Sequence, residues 1–195
     1  HIGSYAVALG KCTMVGDQGD PFSYPGDYFS AELREDKIKG SFGHPVPVVD
    51  GKTQSSGAKA SAIVLKKEFT DVKDLLSIDY TSAYSTPSLD KLVRTFVYDR
   101  QGKGSFTVGD EFTPMHYPVE TAITTQANWK IIDDTHLLLT TGTEQMTVTI
   151  EASGKVAFTS ETIEVNSPAY TRIGISLKEQ SKDGYIRLTM RTKQL

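Results

Sequence analysis

The residues best suited to chemistry in this chain are a single imidazole, His44, set between Gly43 and Pro45, and the carboxylates Asp17 and Asp20 of the stretch Gly16-Asp17-Gln18-Gly19-Asp20-Pro21. Glycine permits close backbone approach, and proline pushes the residue before it toward an extended conformation, so the His44 ring is oriented by its own backbone. Fixed orientation matters as much as basicity for a metal ligand or an acid/base group. Counting His1, two histidines and a carboxylate at strand ends of one fold suit a transition-metal site of the Zn²⁺ type. The oxygen-rich loop leaves Ca²⁺ as the alternative. A plainer reading stands beside each of these: a half-buried histidine closing the start of a strand, and aspartates doing what turns require.

Phe22-Ser23-Tyr24-Pro25-Gly26-Asp27-Tyr28-Phe29 crowds four aromatics into one short stretch. Flat rings on a loop can stack on sugar faces, which makes Tyr24 and Tyr28 candidate substrate contacts; capping a sheet edge is the other use. Phe29, Tyr84 and Trp129 are further platforms in a sugar-binding reading. His116 and His136 read as structural, and Cys12, mid-strand, reads as core. No phosphate-cradling Gly-Lys-Ser/Thr loop, dinucleotide fingerprint, paired-cysteine zinc motif or Gly-x-Ser-x-Gly elbow occurs, which sets aside several large enzyme classes.

The 195 residues suit one domain, spanning 1–195, with 38% hydrophobic residues and no long apolar run that would span a membrane. Twenty-one basic and 24 acidic side chains give a net charge of −3 without blocks of like charge, which argues against nucleic acid as a partner. One cysteine excludes an internal disulfide framework. The first residue is not Met, and a strand follows almost at once, so the expectation is a fragment of a longer chain whose targeting information lies elsewhere.

The elements that must position these residues read as strands. Ser4 to Leu9 and Cys12 to Val15 flank Gly10-Lys11 as a hairpin, and the apolar run after His44 is turned by Asp50-Gly51. Glu32 to Lys39 reads as a helical turn or an edge strand. Ala60 to Phe69 and Leu75 to Tyr84 alternate as half-buried strands do, and Leu92 to Tyr98 and Ser105 to Val108 flank Asp99-Arg100-Gln101-Gly102-Lys103-Gly104, a loop of hairpin type. Thr121–Thr125, Trp129–Ile132, His136–Thr140, Met146–Ile150, Val156–Ile163, Thr171–Leu177 and Ile186–Met190 follow, separated by turn signals. No stretch keeps a helical period. The expectation is an all-β fold, a two-layer antiparallel β-sandwich.

Several motifs resemble one family. His1-Ile2-Gly3-Ser4-Tyr5-Ala6-Val7, Met14-Val15-Gly16-Asp17-Gln18-Gly19, Tyr28 and Gly43-His44-Pro45-Val46-Pro47-Val48-Val49-Asp50-Gly51-Lys52-Thr53-Gln54 look like the opening of the C-terminal β-domain of heparinase II/III-like polysaccharide lyases. Leu92-Val93-Arg94-Thr95-Phe96-Val97-Tyr98 followed by Val108-Gly109-Asp110-Glu111-Phe112 resembles that domain's strand pair with its Asp-x-Phe ending. Beyond this point only the strand rhythm agrees.

The resemblance implies an incomplete α/α toroid ahead of the β-sandwich, with uronic-acid-containing polysaccharide, glycosaminoglycan-like or alginate-like, cleaved by β-elimination in the cleft between them. That reaction removes the proton at C5 of the uronate, expels the C4 oxygen and leaves an unsaturated sugar, and it needs carboxylate neutralisation, a base and an acid. In the family the toroid supplies Asn, His and Tyr for much of this. The β-domain adds a histidine from the first run and a metal held by another His of that run, the Asp of the Asp-x-Gly turn and a later His. Here Asp17 matches that Asp and His44 the later His. The family's first-run histidines would precede residue 1, so His1 is a substitute ligand or a neighbour of the site. No catalytic residue carries over, and the chain alone is expected to be inactive. Periplasmic or secreted localisation follows by the same analogy. The rival expectation is a non-catalytic carbohydrate-binding or structural β-sandwich.

Overall fold

The structure, a computed structural model, describes residues 1–17, 37–87, 89–114, 118–164, 168–179 and 182–193. Asp20, Tyr24, Tyr28, Phe29 and His116, and the stretch Glu32 to Asp36, lie outside the described residues. Fourteen strands are present among the described residues: β1 (Val7–Leu9), β2 (Cys12–Val15), β3 (Val48–Val49), β4 (Ile63–Phe69), β5 (Lys73–Asp79), β6 (Leu89–Asp99), β7 (Ser105–Pro114), β8 (Val119–Thr125), β9 (Asn128–Asp133), β10 (His136–Thr141), β11 (Glu144–Ala152), β12 (Val156–Ile163), β13 (Tyr170–Leu177) and β14 (Gly184–Thr192). They form an eight-stranded sheet in the order β4-β5-β6-β7-β14-β11-β10-β9, a four-stranded sheet in the order β12-β13-β8-β3, and the separate hairpin β1-β2. Every pairing is antiparallel. The all-β, sandwich-like fold expected from the alternation and the turns is what forms.

The core lies between the sheets because each strand sends alternate side chains inward. Leu92, Val108, Leu139, Val148 and Leu188 from the large sheet meet Val119, Ile123, Ile173 and Ile175 from the small one, all buried. The hairpin adds Met14 and Val15, fully buried, with β2 against β8 and β10.

Three expectations need correction. Leu75 to Tyr84 is not one strand: β5 ends at Asp79, whose carboxylate accepts from the Thr81 amide (3.0 Å) and hydroxyl (2.7 Å), and the chain turns into the 3-10 segment Thr81–Ala83. An aspartate capping its own following backbone competes with strand continuation. Ala60 to Phe69 is not half-buried either. β4 is exposed along its whole length, with Ile63 and Phe69 each 67% accessible, because it is the outermost strand of the larger sheet. Cys12 begins β2 and is only half-buried against the core.

Candidate functional site

Asp17 is delivered by the end of β2. The Gly16 amide donates to Thr124 O (2.9 Å), the Thr124 hydroxyl donates back to Gly16 O, and the Thr125 hydroxyl donates to Met14 O (2.6 Å), so β8 holds the chain immediately before the carboxylate. His44 is delivered by the stretch that follows the 3-10 turn Ser41–Gly43. Its φ of −115° and ψ of 159° are the extended backbone that Pro45 imposes. Beyond it, β3 pairs with β8 through Val48 and Val49, and Asp50-Gly51 makes the return with φ of 54° and 66°, the positive values that a tight two-residue turn needs.

The turn before His44 is tightly seated. A side chain at Gly43 would put its first carbon 2.1 Å from Lys37 O and 2.4 Å from the Tyr170 hydroxyl, so only glycine fits without displacement. Phe42 lies beneath two cations: the Arg172 guanidinium at 4.5 Å and the Lys37 ammonium at 5.4 Å from its ring centroid. Those cations are paired with Glu120 and Glu161 respectively.

Asp17 and His44, 27 residues apart in sequence, meet: His44 Nδ1 donates to Asp17 Oδ1. The His44 side chain is 9% exposed and that of Asp17 39%. His44 Nε2 faces Ile38 O at 3.2 Å, so both ring nitrogens look at acceptors. Burial works against the Asp17 charge, but the hydrogen bond from His44, the nearby Ser4 hydroxyl and the His44 charge outweigh it and hold the carboxyl below its usual range. The Ser4 hydroxyl is buried and makes no well-formed hydrogen bond, so its share of that effect is the weaker one.

His1 packs against His44 with ring centroids 4.1 Å apart and planes inclined at 56°, while its Nε2 turns to Lys39 O (3.2 Å). The three expected ligand residues are therefore neighbours, but only Asp17 and His44 touch through donor atoms. Among the described residues no group of three or more His, Cys, Asp or Glu side chains is arranged to hold a metal ion. The donor types present, imidazole and carboxylate, match Zn²⁺ better than Ca²⁺, which prefers a shell of six to eight oxygens.

Sequence reading missed two residues that build this site. Arg94, fully buried and paired with Asp110 directly opposite on β7, donates to Pro45 O, next to His44. Gln54 clamps Ile2 from above: its Oε1 accepts from the Ile2 amide (2.9 Å), its Nε2 donates to Ile2 O (2.7 Å), and its own amide donates to the Ser41 hydroxyl (2.7 Å). Both stand in the motifs of the resemblance, and Arg94 shares a face with Leu92 and Phe96; a cation in a core-facing row is the signal that could have found it. Tyr84 is corrected as a sugar platform, since it is 5% exposed with its hydroxyl on Pro47 O (2.6 Å). Trp129 packs half-buried against the core. His136 bonds Asp133 within the β9–β10 turn.

No family sequence model matches the chain, and no curated protein matches it by sequence. Solved structures match its fold closely. The heparan sulfate lyase HepC from Pedobacter heparinus superposes with a TM-score of 0.75 at 14% identity, covering 99% of this chain and 31% of that one. A HepC mutant from the same organism gives 0.77 at 13% identity, covering 99% and 30%. A heparinase III structure gives 0.72 at 16% identity, again covering 99% and 30%. The chain thus shares the fold of a domain of heparinase III structures and spans about 30% of their length.

Proposed function

We propose that this chain is the β-sandwich domain of a polysaccharide lyase that cleaves uronic-acid-containing polysaccharide, glycosaminoglycan-like or alginate-like, by β-elimination. The observation that carries the reading is the meeting of Asp17 and His44 on a fold shared with heparinase III, at the two positions where the motif resemblance expects ligands. In the proposed protein an α/α toroid of the same chain supplies the base, the acid and most of the substrate cleft. The present residues then bind and orient rather than transfer protons, and Tyr24 and Tyr28 contact the sugar.

Asp17 and His44 would hold Zn²⁺, with His1, whose ring packs against that of His44, as the further imidazole. The bound ion would supply a rigid tie between the loop after β2 and the segment before β3, stabilising the folded chain rather than activating water. As the two groups stand, the hydrogen bond between His44 Nδ1 and Asp17 makes that tie, and Nε2 faces Ile38 O. This second contact fixes ring orientation, as a partner beyond the ligand shell does in metal sites. A periplasmic or extracellular location agrees with the polymeric substrate, and no helix among the described residues is long and apolar enough to cross a membrane.

The test is an absorbance assay for unsaturated uronate on the full-length protein, against a panel of glycosaminoglycans and alginate. Absorbance should rise with at least one polymer and with none when this chain is used alone. No rise with any uronate polymer would remove the lyase reading. Binding of the isolated chain to polysaccharide that survives loss of both Asp17 and His44 would favour a carbohydrate-binding sandwich instead.

A further inference from the structure

The guanidinium of Arg94 has five N–H donors, and the fold uses all of them. Nε donates to Asp110 Oδ1 (2.8 Å) and Nη2 to Asp110 Oδ2 (2.7 Å) and the Thr121 hydroxyl (3.2 Å). The remaining nitrogen, Nη1, donates to two backbone carbonyls at once: Gly3 O at 2.7 Å and Pro45 O at 2.8 Å. Asp110 is held in turn by the Tyr80 hydroxyl (2.9 Å) and the Thr121 hydroxyl (2.7 Å). Burial above all, and the neighbouring Asp110 carboxylate, push the Tyr80 hydroxyl well above its ordinary range and keep it a donor, although Arg94 pulls the other way.

The two carbonyls are not arbitrary. Gly3 lies two residues after His1, and Pro45 is the residue next to His44. Gly3 also takes a φ of +78°, and a side-chain carbon there would stand 3.4 Å from Arg94 Cδ, so the backbone passes close over the arginine. A buried ion pair is weak as a source of stability, because apolar side chains of similar volume often serve as well or better. What apolar side chains cannot do is donate to two carbonyls from distant segments and so fix their spacing.

We propose that Arg94, locked by Asp110, is the positioning residue of the His1–Asp17–His44 site: one guanidinium nitrogen sets the separation of the two histidine-bearing segments by holding the Gly3 and Pro45 carbonyls. The metal arm of the test rests on the reading of this site as a Zn²⁺ site; the geometric arm does not. Arg94 donates to backbone carbonyls near the two histidines, and its effect runs through backbone.

The experiment compares the wild-type chain with Arg94→Lys, which keeps the charge but cannot serve Asp110 and both carbonyls, and with the double variant Arg94→Met/Asp110→Leu, which removes both charges together so that none is left buried alone. Nuclear Overhauser contacts between the His1 and His44 ring protons are recorded without metal, and Zn²⁺ affinity is measured by competition with a chromophoric chelator. The wild type should show the ring contacts, and folded variants should lose them, with Zn²⁺ binding weakened about 10- to 100-fold, the usual effect of removing support behind a ligand. Ring contacts and affinity that stay as in the wild type in a folded variant would overturn the proposal. If the wild type binds no Zn²⁺, the metal reading fails while the ring contacts alone still decide the role of Arg94. Collapse of both variants would make Arg94 a general folding residue and would also overturn it.

Discussion

Two imidazole–carboxylate pairs in this molecule have the same chemistry and opposite settings. Asp133 and His136 lie three residues apart in the turn between β9 and β10, with side chains 54% and 38% exposed, and their bond of 2.9 Å closes a local loop. Asp17 and His44 lie 27 residues apart, with the imidazole almost wholly buried and its second nitrogen on a backbone carbonyl. The first pair is made by sequence proximity and would form in a peptide-like turn. The second forms because β8 holds the chain at Met14 and Gly16 and the glycine turn at Gly43 delivers His44, bringing two distant segments together. An exposed, local pair is worth little; a half-buried, distant one reports on everything that assembles it.

Breaking the support of the distant pair should have the largest effect. Asp110→Ala leaves the Arg94 guanidinium buried without its partner, and chemical denaturation should register a loss of about 3–5 kcal/mol, the usual cost of an orphaned buried charge. The Asp133–His136 turn, on the far edge of the same sheet, should be the least affected by hydrogen exchange in that variant. Next comes His44→Ala, which removes the hydrogen bonds His44 makes to Asp17 and to Ile38 O; a cost of about 2 kcal/mol is expected. Gly43→Ala should cost about 1–3 kcal/mol, the range for forcing atoms into a packed site, because the Lys37 backbone or the Tyr170 ring must move. His136→Ala should fall within about 0.5 kcal/mol of the wild type, as surface changes do.

The local pair also has a pH signature of its own. The Thr135 amide first, then His136 and the Thr135 hydroxyl, hold the Asp133 carboxyl down to about 2. A carboxyl whose folded value lies below its unfolded value, about 4 for aspartate, stabilises the fold fully above the unfolded value and loses that contribution as pH falls toward the folded one. A carboxyl-carbon NMR titration of Asp133 should have its midpoint near pH 2 in the wild type, moving upward in His136→Ala. An ordinary midpoint in the wild type would count against the turn as drawn.

The contrast also explains what could be read from the sequence. The alternation of strands and the turns at Gly10-Lys11, Asp50-Gly51 and Asp133-Asp134 are local signals, and the fold follows from them. The meeting of Asp17 and His44 was legible only through the order of the motifs, since spacing alone does not say which strand ends converge. Arg94 was visible as a cation in a core-facing row, but its use depends on where Gly3 and Pro45 pass, which no local pattern encodes. The exposure of β4 depends on how far the smaller sheet reaches, a property of the assembled layers rather than of Ile63–Phe69 itself.

The most direct measurement is the Zn²⁺ stoichiometry of the wild-type chain beside Asp17→Asn, His44→Ala and His136→Ala, by equilibrium dialysis with metal analysis. One ion per chain is predicted in the wild type and in His136→Ala, with none retained by Asp17→Asn or His44→Ala. A wild type that takes up no Zn²⁺, or an ion retained after His44 is removed, would contradict the account.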